Sequence, residues 1–320
     1  MNPPVAIEAR RLAKTFPPSI TAVNRLDLRV PTGSVYGLIG RNGAGKSTLL
    51  RCLMGLMRAD SGGAEVLGHD LWTAPPEVRR RVAYVSQEQQ LPWWMTMREL
   101  GDYYARLFDR WDERFAIRLA RRFEIDPWRP MGLLSGGDQR RVAVLLALAA
   151  GPDVVILDEP AAGLDPISRR QLIEAVVEFL GDGGERTVLF STHILADLER
   201  VADHVGFMDR GRLVMEGPLD SLQAGLRRVQ VIFPGDRVPE GFRLPGQLRG
   251  RSEGPVLTAV VRRGPEESPS DWVQGTGARV NETPLGLEDL FIELMERDRT
   301  LEHDQPLVEQ DPWWRDPLQS

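Results

Sequence analysis

Three clusters of residues in this chain have the types and spacing to handle a polyphosphate. Gly40-Arg41-Asn42-Gly43-Ala44-Gly45-Lys46-Ser47-Thr48 has the G-x-x-x-x-G-K-S/T spacing of a phosphate-binding P-loop. Its glycines, Gly40, Gly43 and Gly45, let the backbone curl so that several N–H groups point at one anion. The helix that follows adds the positive end of its dipole at Ser47 and Thr48. Lys46 reaches the β- and γ-phosphates, and the Ser47 hydroxyl is suited to Mg²⁺. The second cluster is Asp158-Glu159, an acidic pair closing an apolar strand. Alternation at a strand end points two carboxylates in different directions. Asp158 is expected beside Ser47, holding Mg²⁺ through its water shell. Glu159 is expected to face the γ-phosphate and to orient or deprotonate the attacking water. The third cluster, Ser135-Gly136-Gly137, opens a second helix and forms another anion-binding end from a hydroxyl, two amides and a helix terminus. One nucleotide needs one P-loop, so this second phosphate-binding end requires its own explanation.

These groups need a layered scaffold. The run Val35-Tyr36-Gly37-Leu38-Ile39 leads into the P-loop as a strand, and a helix-forming run from Thr48 to Met57 leaves it. Val154-Val155-Ile156-Leu157 is continuously apolar, as in a parallel sheet covered on both faces. Further strands are expected over 5–12, 23–30, 64–67, 82–86, 187–190 and 205–208. Helices are expected over 167–180 and 194–202, and a hairpin at Asp209-Arg210-Gly211. Strands alternating with helices indicate an α/β fold with a mixed β-sheet core. Helical periodicity over Leu100, Tyr103, Tyr104 and Leu107, and again over Phe115, Leu119, Arg122 and Phe123, places a helical subdomain at about 92–150. After residue 222 the pattern changes. Strand candidates at 229–233, 256–261 and 272–281 alternate with Gly/Pro/Glu-rich turns. An amphipathic helix over 285–297 then groups Leu287, Leu290, Phe291 and Leu294 on one face. The expected organisation is a nucleotide-binding domain over 1–222, a second small α+β domain over 223–298, and a flexible acidic tail over 299–320.

Composition narrows the alternatives. Forty Lys+Arg against 46 Asp+Glu give a net charge of −6, which argues against a nucleic-acid coat. Lysine occurs only at 14 and 46, so the P-loop retains a compact cation on a flexible stem in an arginine-rich chain. The single cysteine, Cys52, excludes a disulfide scaffold. Histidines at 69, 193, 204 and 303 are too scattered for a zinc cluster. No basic-then-apolar leader is visible, and the longest apolar run, Val142 to Ala150, is about half of what a bilayer crossing needs. A soluble chain is expected, with any membrane role reached through a partner. Arg79-Arg80-Arg81 reads as a solvated rim before a buried strand. Trp93-Trp94 fits either a docking surface or burial in the helical subdomain.

Leu134-Ser135-Gly136-Gly137, taken with the P-loop and Asp158-Glu159 in this order, resembles the ATP-binding subunits of ATP-binding cassette (ABC) transporters. The resemblance covers roughly residues 5 to 222. It implies that the signature Ser135-Gly136-Gly137 binds the γ-phosphate held by the P-loop of a second copy, in a head-to-tail homodimer. It makes Gln87 the Q-loop glutamine at Mg²⁺ or the lytic water, and Gly163-Leu164-Asp165 the D-loop. His193 in Phe190-Ser191-Thr192-His193 corresponds to the γ-phosphate-contacting histidine, and Phe16 to the aromatic that stacks on adenine, with ordinary packing as the alternative for Phe16. ATP and Mg²⁺ are the implied cofactors and an integral membrane permease the implied partner. The chain would then be cytoplasmic, peripheral on the inner face of the membrane. Residues 82–99 and 109–123, and the small C-terminal domain ending Leu287-Glu288-Asp289-Leu290-Phe291, are most similar to exporter-type subunits. Two positions depart from the family pattern: Asp138 stands for a glutamine and Ala161 for a threonine. Neither removes a phosphate donor, so an active ATPase is expected. A non-transport ATPase acting on nucleic acid or the ribosome, a nucleotide-gated regulatory module and a P-loop kinase are the competing readings. The first lacks its coiled coil, zinc module or second cassette here, the second would favour loss of Glu159 or Lys46, and the third leaves the signature unexplained.

Overall fold

Alternating burial in the first thirty residues produces two long strands, β1 (Val5–Phe16) and β2 (Ile20–Pro31), paired antiparallel. The next strand, β3 (Val35–Ile39), is buried at every position and belongs to a different sheet. It feeds α1 (Lys46–Leu53), after which β4 (Ser61–Val66) returns to the free edge of β1. The short α2 (Pro76–Arg79) precedes β5 (Val82–Val85). The computed structural model describes residues 4–88, 90–181, 185–262, 271–289 and 291.

The helical subdomain follows as α3 (Met97–Leu107), α4 (Glu113–Arg122) and α5 (Gly136–Ala149). Thr96 and Glu99 cap α3 reciprocally, with the Glu99 N–H on Thr96 Oγ1 and the Thr96 N–H on Glu99 Oε2. Arg118 and Arg122 of α4 reach Glu178 at 2.9 and 2.7 Å. Trp93 and Trp94 are 70% and 63% exposed, which rules out the buried alternative.

The chain then alternates as expected for a parallel core: β6 (Val154–Asp158), α6 (Pro166–Gly181), β7 (Thr187–Thr192), α7 (Leu195–Leu198), β8 (His204–Asp209) and β9 (Arg212–Pro218). The six-stranded order is β5-β6-β7-β3-β8-β9, and β5, β6, β7, β3 and β8 run parallel. Only a two-residue turn joins β8 to β9, so this last pair is a hairpin and the sheet is mixed. β7 lies between the P-loop strand β3 and the acidic strand β6, and that order sets the geometry of the site.

The chain divides after Glu216 into two compact units. In the second, α8 (Leu219–Gly225) leads into β10 (Leu226–Ile232), β11 (Gln247–Glu253), β12 (Val256–Arg262) and β13 (Arg279–Pro284), an antiparallel sheet in the order β11-β12-β10-β13. Val229, Val231, Phe233, Leu257, Ala259 and Val261 form its core. The strand expected over 272–281 is instead a helical turn, Asp271–Val273, with β13 starting only at Arg279. β11 was not expected, because Gln-Leu-Arg-Gly-Arg-Ser-Glu has no apolar alternation; it is an edge strand and needs none. Of the expected helix over 285–297, Leu287 is buried, while Leu290 and Leu294, like the tail over 299–320, lie outside the described residues.

Candidate functional site

Every catalytic candidate except Gln87 stands at or just beyond the carboxyl end of β3, β6 or β7, where a parallel sheet opens its crevice. β3 hands the chain to the P-loop at Gly40. Gly45 takes φ 104°, and a Cβ there would stand 2.0 Å from the Ala22 carbonyl oxygen, so glycine answers both the twist and the space. That close approach seats the P-loop against β2. Hydrogen bonds from the Asn24 N–H to the Gly211 carbonyl (2.8 Å) and from the Gly211 N–H to the Ala44 carbonyl (2.9 Å) tie both to the β8–β9 turn. Asn42 and Gly43 are exposed, Ala44 is buried, and Ser47 and Thr48 are half-buried at the start of α1. Phe16 pairs with Ile20 at the end of β1, half-buried, with the Lys14 ammonium 5.7 Å from its ring centre.

Lys46 is the centre of the cluster. Its Nζ donates to the Gly40 carbonyl at 2.7 Å and lies 3.0 Å from Glu159 Oε1, both side chains being about 95% buried. The other Glu159 oxygen, Oε2, is 2.7 Å from Nδ1 of His193, whose ring is half exposed. Lys46, Glu159 and His193 therefore form one chain of charged and polar groups across the end of β7. A buried carboxylate and ammonium in contact offset each other's desolvation, which neither could bear alone.

Glu159 has φ 49°, a left-handed backbone that costs a non-glycine residue about 1–3 kcal/mol. This turn, rather than simple strand alternation, separates the two carboxylates. Asp158 stays in β6 with Oδ1 accepting from the Ser191 hydroxyl at 2.6 Å. Its Oδ2 is buried without a hydrogen bond, and the Tyr84 hydroxyl faces the carboxylate without completing one. Burial, and then this neighbouring charge, push Tyr84 up to about 12, so it stays neutral. The orphaned oxygen of Asp158, on the residue before the carboxylate that meets Lys46, fits a hard, hydrated divalent cation that takes few protein ligands.

Ser191 is the functional residue that motif reading passed over. Fully buried on β7, it holds Asp158 through its hydroxyl and accepts the Glu159 N–H on Oγ at 3.0 Å, so it orients both acidic residues. A serine directly after the apolar run Val188-Leu189-Phe190, two residues before His193, was the available signal.

The signature stands apart. Ser135 caps α5, accepting the Asp138 N–H at 3.1 Å and donating its hydroxyl to Asp138 Oδ2 at 2.8 Å. Arg141 pairs with Asp138 Oδ1. Ser135 and Gly136 are exposed and Gly137 half-buried, and among the described residues none of the three makes a hydrogen bond to the P-loop of its own chain. Gln87, two residues past β5, is exposed, and its carbonyl accepts from Arg140 at 3.0 Å. Asp165 caps α6, accepting from the Ile167 and Ser168 amides and from the Ser168 hydroxyl at 2.6 Å.

A family profile described as ABC transporter matches residues 23–162. The chain is 39% identical over 231 residues to the daunorubicin/doxorubicin resistance ATP-binding protein DrrA of Streptomyces peucetius, a match covering 70% of this chain and 69% of that protein. It is 32% identical over 300 residues to a Nod factor export ATP-binding protein I of Cupriavidus pinatubonensis, covering 91% of each. A solved structure of an ATP-binding subunit of an ABC transporter superposes with TM-score 0.61 at 30% identity, over 68% of this chain and 92% of that one. The chain therefore belongs to the ATP-binding subunits of ABC transporters and is related to the export-type ATPases. The P-loop fold of this family implies nucleotide binding and ATP hydrolysis. Among the described residues, no helix is long and apolar enough to cross a membrane.

Proposed function

We propose that two copies of this chain sandwich two ATP molecules and that their hydrolysis drives a separately encoded membrane permease in the direction of export. The observation that carries this reading is the separation of the two phosphate-binding ends. Lys46, Glu159 and His193 meet in one place, whereas Ser135 and Gly136 are exposed elsewhere on the chain. A second copy placed head to tail supplies the missing half of each site.

In that arrangement Gly40 to Thr48 bind the triphosphate through backbone amides. The incoming anion draws Lys46 from Glu159, freeing the carboxylate to accept a proton from water. His193 holds the carboxylate from its other side and meets the γ-phosphate with its exposed ring edge. Asp158 Oδ2, Ser47 and Gln87 are the groups that would hold Mg²⁺, which supplies charge neutralisation along the phosphates. The partner's signature amides complete the electrostatic complement to the transferring phosphoryl group. A permease segment docks on the exposed Trp93-Trp94 region, and opening after hydrolysis returns both to their starting position. The chain works at the cytoplasmic face of the membrane through the permease, and no nucleic acid is involved.

Glu159→Gln tests this. The variant should bind ATP as the parent does, hydrolyse it at least ~10²-fold more slowly, and accumulate a dimer visible by light scattering. Parent-rate hydrolysis in that variant would sink the assignment of Glu159.

A further inference from the structure

Arg140 takes no part in the chemistry above, yet it joins three of the segments that perform it. From the second turn of α5 its guanidinium forks between two loops. Nη2 donates to the Gln87 carbonyl at 3.0 Å, and Nη1 donates to the Ala162 carbonyl. Gln87 lies two residues past β5, and Ala162 three residues past Glu159. A planar guanidinium presents its donors at fixed angles, so bridging two carbonyls sets the separation of the loops as well as their distance from the helix. A second, independent contact runs beside it. A Cβ at Gly137 would stand 3.1 Å from Leu164 Cδ2, and one at Gly163 would stand 3.9 Å from Arg140 Nη1. The start of α5 and the Gly163-Leu164-Asp165 turn are thus packed directly on each other, with Leu164 buried.

We propose that Arg140 is a positioning residue that makes the signature turn of each subunit answer to that subunit's own nucleotide. The inference rests on the two-subunit reading above. There, Gln87 and the turn after Glu159 respond to ATP on their own P-loop, while Ser135 to Gly137 serve the ATP of the partner. Ser135 is little more than one helical turn from Arg140. A rigid fork therefore carries any shift of the two loops into the direction in which the α5 amides point. The two composite sites are coupled, and filling one raises the competence of the other. Lysine, with one compact ammonium, cannot span both carbonyls in the same way.

The test uses the full chain as parent, Arg140→Met and Arg140→Lys. It measures hydrolysis against ATP concentration, amide hydrogen exchange, and ATP-driven dimer mass on the Glu159→Gln background. The parent should be cooperative. Arg140→Met should lower kcat at least ~10-fold with half-saturation moving less than ~3-fold, and its Hill coefficient should fall to about 1. Arg140→Lys should lie between the two. Exchange should quicken together at 86–88 and 160–165 while 142–149 stays protected, a pattern that general loosening of the helix would not give. Parent values of kcat and cooperativity in Arg140→Met overturn the proposal, as does exchange that spreads through α5. If Arg140→Met does not unfold cooperatively, Arg140→Lys decides on the same readouts, and parent values there overturn it. A dimer that forms normally but hydrolyses without cooperativity in the parent also overturns the coupling. A parent that never dimerises defeats the two-subunit reading itself, and the coupling with it.

Discussion

At the scale of single residues, Asp138 stands where the family resemblance expects a glutamine, in the first turn of α5. Ser135 gives its hydroxyl proton to the Asp138 carboxylate, so a phosphate oxygen entering the signature must take that proton from an acceptor already in place. Burial alone would raise the Asp138 pKa. The bonds from Arg141 and Ser135 more than offset this and leave it lowered, so the group is ionised at neutral pH. Its contribution to stability is present above the unfolded value near 3.8 and is lost as pH falls through the lower folded value. Replacing this charge should favour closure on ATP. Asp138→Gln on the Glu159→Gln background should dimerise at roughly three- to tenfold lower ATP concentration, about 1 kcal/mol at an effective dielectric near 20 after screening. Unchanged or weaker dimerisation by light scattering would count against it. The P-loop and Asp158-Glu159 were legible because their chemistry is local in sequence. The roles of Ser191 and Arg140 were not, since each depends on bonds to segments 22 or more residues away.

At the scale of elements, the edge of the six-stranded sheet holds a half-buried acid that the chemistry does not use. Glu216 on β9 accepts from the Tyr36 hydroxyl of β3 at 2.8 Å, in the space Gly206 leaves on β8 between them. Burial pushes the Glu216 carboxyl up to about 7. A raised acid stabilises the fold fully below the unfolded value of 4.5. That contribution is lost as pH rises through about 7, so Glu216 is a liability in mildly alkaline solution. Glu216→Gln keeps an oxygen for Tyr36 and removes the charge. It should raise stability at pH 8 by roughly 1–2 kcal/mol and leave it nearly unchanged at pH 5, as read from denaturant midpoints. A gain of equal size at both pH values would show that the charge was not the cause. Strands buried on both faces, such as β3 and β6, announced themselves through unbroken apolar runs. β11 did not, because an edge strand draws its stability from backbone pairing with β12, which side-chain pattern does not record. The left-handed turn at Glu159 was likewise invisible, glutamate being an unusual residue to carry it.

At the scale of the whole molecule, the division after Glu216 has a direct consequence for dissection. All the nucleotide-binding motifs precede it, and the second unit has a core of its own. The fragment 1–216 should unfold cooperatively and bind ATP within about threefold of the full chain, with dimerisation or permease coupling free to weaken. An insoluble fragment, or one without nucleotide affinity, would mean that the second unit completes the first. The scarcity of lysine has a further consequence, for chemical labelling. Lys14 is held to Asp60 at 2.7 Å, and Lys46 is buried in its ion pair, so the chain offers amine-reactive reagents two side chains of very different access. An acyl-phosphate analogue of ATP would deliver its reactive carbonyl to Lys46 alone. Mass spectrometry should then find one acyl group per bound nucleotide, abolished by excess ATP. Labelling stoichiometry becomes a count of occupied P-loops, read from a single nitrogen atom.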